Sequence, residues 1–217
     1  MSESGMPVRR NERTLESFTQ LATLDRLTAA ATALERNGIR AFIVGSGSEA
    51  RDLLASLLPE GAEVFNNTSR TLEYTGIAEH LERSGRYESL RVRLFQMDRE
   101  MEAREMRTLA ASPDYVVGSV HAVTEGGSLL IASASGSQLG PIVSGAGHVV
   151  FVVGGQKLVT DIETGIRRIY EYALPLEDRR AREAYGVPSG VNNLLIINQS
   201  VAADRLTVIL VHECLGF

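Results

Sequence analysis

Apolar residues recur along the chain at two spacings, and the alternation between them sets the class of fold. Leu15, Phe18, Leu21 or Ala22, Leu27, Ala31 and Leu34 follow one face of a helix, with Gly38 placed as its C-terminal cap. That pattern predicts a long helix over most of the first forty residues. Ala41-Phe42-Ile43-Val44 is then apolar without interruption, the mark of a strand buried on both faces of a parallel sheet. It runs into Gly45-Ser46-Gly47-Ser48-Glu49-Ala50 and a helix through Leu53, Leu54, Leu57 and Leu58, which Pro59-Glu60-Gly61 ends. A second unit repeats the pattern: strand Glu63–Phe65, polar turn Asn66–Ser69, helix Leu72–Arg83 closed by Ser84-Gly85. Thr68 and Ser69 are natural N-cap residues.

From Asp98 to Arg107 seven of ten residues are charged with mixed sign, which predicts a solvated helix face that Pro113 ends. Nine of the 20 glycines then lie between Gly118 and Gly155, where they separate the apolar runs Tyr115–Val117, Leu129–Ala132 and Val149–Val153. These read as buried strands joined by glycine turns. A helix is expected from Ile162 to Tyr172, and another from Pro175 to Gly186, with Pro at the start and Gly at the stop. Leu194–Ile197 and Leu206–Val211 close the chain as strands. Strand and helix alternate, so the class is α/β with a largely parallel sheet flanked by helices. Residues 1–37 are expected to form an N-terminal helical arm and residues 38–217 the α/β domain.

Composition narrows the function classes. The chain has 217 residues, 44% of them hydrophobic and 23% charged, and a net charge of −5 with no polybasic block, which speaks against nucleic acid as a partner. No stretch nears the roughly 20 apolar residues that span a bilayer. The polar segment Met1–Arg13 has no apolar signal core, so a cytoplasmic location without membrane contact is expected. One cysteine, Cys214, cannot build a disulfide framework or hold an iron–sulfur cluster by itself, and its apolar surroundings predict an inert buried thiol. His80, His121, His148 and His212 show no metal-ligand spacing, and each reads as structural. Neither a metal nor a cofactor is expected.

Several turns can carry chemistry. Gly45-x-Gly47-x-x-Ala50 between strand and helix has the outline of a dinucleotide fingerprint, but the second strand ends in Phe65-Asn66-Asn67 where an acidic ribose partner belongs. A tight turn with helix N–H groups open to an anion fits better. Asn67, Ser69 and Arg70 gather amide, hydroxyl and guanidinium donors at a strand's C-terminal end, where open parallel sheets bind ligands. Thr124-Glu125-Gly126-Gly127-Ser128 sets a carboxylate beside exposed N–H groups, so Glu125 is the candidate base or nucleophile with Thr124, Gly127 and Ser128 around it. The plainer reading of that segment is a glycine hairpin turn. Ser133–Pro141 is a hydroxyl-rich loop in which Ser137 is a candidate contact, and Lys157, the one lysine among 22 basic residues, ends a strand where it can pair an anion.

Asn67–Glu73, Ala122–Leu129 and Ser133–Pro141 together resemble the LUD-domain family, lactate-utilization protein C type, over roughly residues 35–217. The family's fold is similar to those of ribose-5-phosphate isomerase, glucosamine-6-phosphate deaminase and the CoA transferases. The resemblance implies a small anionic metabolite as ligand, a link to lactate oxidation, and iron–sulfur redox proteins as partners. Pro188-Ser189-Gly190-Val191-Asn192-Asn193 departs from the lactate-operon type, in which a His-Gly-Pro turn is expected near the end. Two functions follow as alternatives: an accessory protein of organic-acid utilization, or a stand-alone isomerase or CoA-transferase-like enzyme using Glu125. A homo-oligomer joined through the N-terminal helix is a third expectation.

Overall fold

The structure, a computed structural model, describes residues 18–217. In chain order the strands are β1 (Arg40–Val44), β2 (Glu63–Asn66), β3 (Glu88–Ser89), β4 (Tyr115–Gly118), β5 (Ala122–Thr124), β6 (Leu129–Ser133), β7 (His148–Gly154), β8 (Leu158–Val159), β9 (Asn193–Ile197) and β10 (Leu206–Val211). Six of them form a wholly parallel sheet in the order β1-β10-β7-β4-β2-β3, with Val117 opposite Val150 and Val153 opposite Leu210. The remaining four form a mixed sheet, β8-β5-β6-β9. Leu129–Ala132 and Leu194–Ile197, expected as members of one sheet with the rest, are antiparallel neighbours in this second sheet.

Continuous apolar runs are needed because both faces of the parallel sheet are covered. Along β7, Val149, Phe151 and Val153 join one core, and Val150 and Val152 the other. The first core lies beneath helix α1 (Leu24–Arg36) and the inner residues of the second sheet, Val123, Leu129 and Ile131. The second lies beneath α2 (Gly47–Leu57), α3 (Arg70–Tyr74) and α4 (Ile77–Arg83).

Helix α1 is shorter than its apolar pattern predicts. Thr23 caps it, its hydroxyl accepting the Arg26 N–H, with Asp25 in the first turn. Phe18 and Ala22 are buried from a turn and an extended segment instead of a helix face, and the expected helical residues before 18 lie outside the described ones. Leu27, Ala30 and Leu34 are buried in the first core, and Ala33 is buried beside the β5–β6 turn.

The helix expected over Leu72–Arg83 is two helices, α3 and α4. The Thr75 hydroxyl donates back to the Thr71 and Leu72 carbonyls, and Gly76 takes a left-handed conformation that reverses the chain. Short helices α5 (Leu90–Gln96) and α6 (Ala103–Ala111) follow, and the charged run from Asp98 to Glu102 is a turn closed by its own carboxylates. Near the end, α7 (Ile162–Arg168) and α8 (Leu174–Tyr185) form one continuous helix with a single wide turn, Ile169–Ala173, between them. That extra residue admits Pro175, which has no N–H to give. Cys214 lies past β10, exposed, with its thiol donating to the Thr19 carbonyl, so it is not the buried strand thiol expected. Among the described residues no helix is long and apolar enough to cross a membrane.

Candidate functional site

The connectivity of the parallel sheet creates one natural crevice. From β2 the chain moves outward to the edge strand β3, while from β4 it moves the opposite way, toward β7 and β10. The loops leaving the adjacent carboxyl ends of β2 and β4 therefore part, which is where open parallel sheets bind ligands. Gly118 lets the two ends approach: a Cβ there would stand 2.8 Å from Asn67 Nδ2. A cleft of about 330 Å³ opens at this point, within the size range of small-molecule sites. Asn67–Arg70 line it from the end of β2, Ser119–His121 from the end of β4, and Lys157 from the end of β7. The Ser133–Gln138 loop and the face of the continuous α7–α8 helix that carries Ile169, Ala173 and Arg180 close the other walls.

Lys157 opens on this cleft, and Arg168 lies close to it in the interior. Lys157 is 2% exposed, and its Nζ donates to Thr71 Oγ1 (2.9 Å), Ser119 Oγ (3.1 Å) and the Val120 carbonyl (3.2 Å). All three acceptors are neutral. Arg168 is fully buried: Nη1 donates to the His121 carbonyl at 2.6 Å, while Nε and Nη2 have no partner among the described residues and the guanidinium stacks over Tyr172. Neither makes an ion pair among the described residues. Burial, with Arg168 close by, holds the Lys157 amine well below the usual lysine value, and burial brings Arg168 down to about 10. Removing charge from water without a counter-ion is costly, so such a pair is retained where something else repays it.

The rim is basic and rich in hydroxyls, but its arginines are already braced. Arg70 pairs with Glu73 and donates to the Tyr74 hydroxyl, and Arg91 donates to Thr68 Oγ1 and pairs with Glu82. Arg180 holds Glu177 through two bonds of 2.7 Å. Ser69, Ser133, Ser135, Ser137 and Ser189 supply further donors. The C-terminal segment closes over Thr71: the Thr71 hydroxyl donates to the Leu215 carbonyl, and the Gln156 side chain pairs with Leu215 on both its N–H and C=O.

Of the residues expected from the sequence, Asn67, Ser69, Arg70, Ser137 and Lys157 meet in this cleft. Glu125 does not. It lies at the tip of the β5–β6 hairpin, half-exposed and 2.8 Å from the Arg26 guanidinium on α1. Thr124, Gly127 and Ser128 go with it: the Ser128 N–H donates to Thr124 Oγ1, the Gly127 N–H to the Thr124 carbonyl, and Ser128 Oγ to Asn198. The segment is a glycine hairpin turn, the plainer of its two readings, and Glu125 is not among the residues that line the cleft. Gly45 and Gly47 also stay apart, because Glu49 and Glu213 take their N–H groups with carboxylate oxygens at 2.9 Å. The anion place at that helix start is filled by the protein itself.

Pattern reading missed Arg168 and His121. Both sit in unremarkable local sequence, and only the tertiary fold brings them close to Lys157. Among the described residues no cluster of His, Cys, Asp and Glu could hold a metal ion.

The fold and this cleft define an α/β protein with a crevice at the switch point of a parallel sheet. The family model for the LUD domain matches residues 27–211, and the chain belongs to that family. A solved DUF162 family protein from Deinococcus radiodurans is similar at 15% identity, covering 94% of this chain and 99% of that one, with a TM-score of 0.47. No curated protein matches the chain.

Proposed function

We propose that this LUD-domain protein binds a small organic anion in the switch-point cleft and serves the utilization of an organic acid of the lactate type. Electrons are carried by iron–sulfur partner proteins. The reading rests on one observation: Lys157 is buried at the cleft, with Arg168 close behind it, and among the described residues both have neutral hydrogen-bond acceptors and no carboxylate. An anion seated against Lys157 supplies the missing charge, and the hydroxyls of Ser69, Ser135 and Ser137 complete its shell. The proposed link to lactate and to redox partners is taken from the resemblance to the lactate-utilization protein C type, and the single cysteine of the chain agrees with clusters held elsewhere.

Calorimetric titration of the full chain with propionate, lactate, pyruvate and inorganic phosphate tests the binding reading. Saturable binding of at least one, lost in Lys157→Met, is the expected result. No heat from any of them would overturn it.

A further inference from the structure

His121 is the one histidine at the cleft, and three contacts fix its state. Its backbone N–H donates to the Leu130 carbonyl at 2.9 Å, and its carbonyl accepts from Arg168 at 2.6 Å, so the residue continues the β5–β6 ladder and cannot swing out. Its ring Nδ1 accepts the Ala132 backbone N–H at 3.1 Å. A backbone N–H can only donate, so Nδ1 must offer its lone pair and the ring proton must sit on Nε2. That nitrogen is bonded to no protein group among the described residues, and His121 is one of the residues that line the cleft. The same surroundings forbid a second proton: burial, then Lys157 and Arg168 as neighbouring cations, push the imidazole down to about 3.

We propose that His121 presents Nε2–H as a neutral hydrogen-bond donor to an uncharged oxygen of the ligand, so that the anion held in the cleft carries a carbonyl or hydroxyl besides its charged group. The proposal rests on the anion-binding reading above and adds the chemistry of the ligand's other end. A division of labour supports it. Lys157 and the rim arginines favour the charged oxygens, leaving the neutral donor to the oxygen that bears no charge. A ring this hard to protonate is no proton reservoir; it orients and polarises an oxygen without exchanging a proton with it, as neutral imidazoles do in some isomerase sites.

Two measurements on the full chain test it. Nitrogen-15 NMR of the imidazoles reads tautomer and charge directly. His121 is expected as the neutral Nε2–H form at pH 6, whereas an Nδ1–H tautomer or an imidazolium would overturn the proposal and leave anion binding untouched. The second compares propionate, lactate and pyruvate, which share a carboxylate and differ at the second carbon. Wild type should bind the two oxygenated acids about tenfold more tightly than propionate. His121→Asn keeps an acceptor for the Ala132 N–H but cannot reach the ligand, and should erase that preference while leaving propionate binding unchanged. His121→Gln, whose amide can stand in for Nε2–H, should restore part of it. Equal weakening toward all three acids in His121→Asn would show a structural role and overturn the proposal. Failure of wild type to bind any of the three acids would overturn this inference, and failure to bind inorganic phosphate as well would overturn the anion reading with it.

Discussion

Lys157 is where stability and binding pull against each other. Burying an ammonium among neutral acceptors costs the folded state, and replacing a buried charge by an apolar side chain of similar volume is often neutral or stabilising. Lys157→Met should therefore leave the melting temperature unchanged or raise it by about a few degrees, while anion binding disappears. A melt by circular dichroism together with titration separates the two effects, and a large drop in melting temperature would mean that the three hydrogen bonds matter more than the charge. Glu125 is the converse case. Its ion pair with Arg26 is half-exposed on both sides, where such pairs contribute at most about 1 kcal/mol and screening by salt lowers that further. Glu125→Ala is expected to leave anion affinity intact, and a loss of binding in that variant would return the hairpin tip to the site.

At the level of elements, the β5–β6 hairpin shows why a segment rich in suggestive residues can be architectural. Gly127 has φ +82°, and a Cβ on it would lie 2.8 Å from the backbone of Ala33 and Leu34. The turn is glycine-rich because it abuts α1, with the Asn37 side chain donating to the Gly126 carbonyl. Gly127→Ala meets strain and a backbone clash together and should destabilise by about 2 kcal/mol or more without altering ligand specificity, measurable by urea unfolding. Helix α1 belongs to the same interface. Removing residues 1–37 would strip Leu27, Ala30, Ala33 and Leu34 from the core, and losing even one such leucine costs about 2–5 kcal/mol. That truncation is expected to give an unfolded or insoluble chain. A folded product with the native circular dichroism spectrum would show instead that α1 is dispensable. The sequence pattern located these elements well where burial is two-sided, as in β7 and β10, because an unbroken apolar run has few other uses. Where polar capping decides, as at Thr23 and Thr75, helix limits shifted.

Across the whole molecule, what the sequence could disclose divides along the same line. Loops at strand ends are visible in sequence, so Asn67, Ser69, Arg70, Ser137 and Lys157 were identifiable before any coordinates. Which loops share one mouth depends on strand order, and no local pattern encodes that β2 and β4 are neighbours. Arg168 and His121 stayed hidden for this reason, and Glu125 stood out without belonging. Strand order also fixes the electrostatics: it gathers Lys157 and Arg168 in one place within a chain of net charge −5. Two opposite pH dependences follow from this clustering. The folded chain gives up the Lys157 proton at lower pH than the unfolded chain does, so the unfolded state binds more protons and stability should rise with pH between the depressed value and the usual lysine value. Binding of an anion runs the other way. A carboxylate above Lys157 favours the ammonium, binding takes up a proton, and affinity should fall as pH rises through the same window. Titrations with lactate from pH 6 to pH 10 in two buffers of different ionisation enthalpy would read both the affinity and the proton uptake, and the uptake should vanish in Lys157→Met if any binding remains. Affinity that is flat across that range, with no buffer dependence, would mean that the ligand does not meet this lysine.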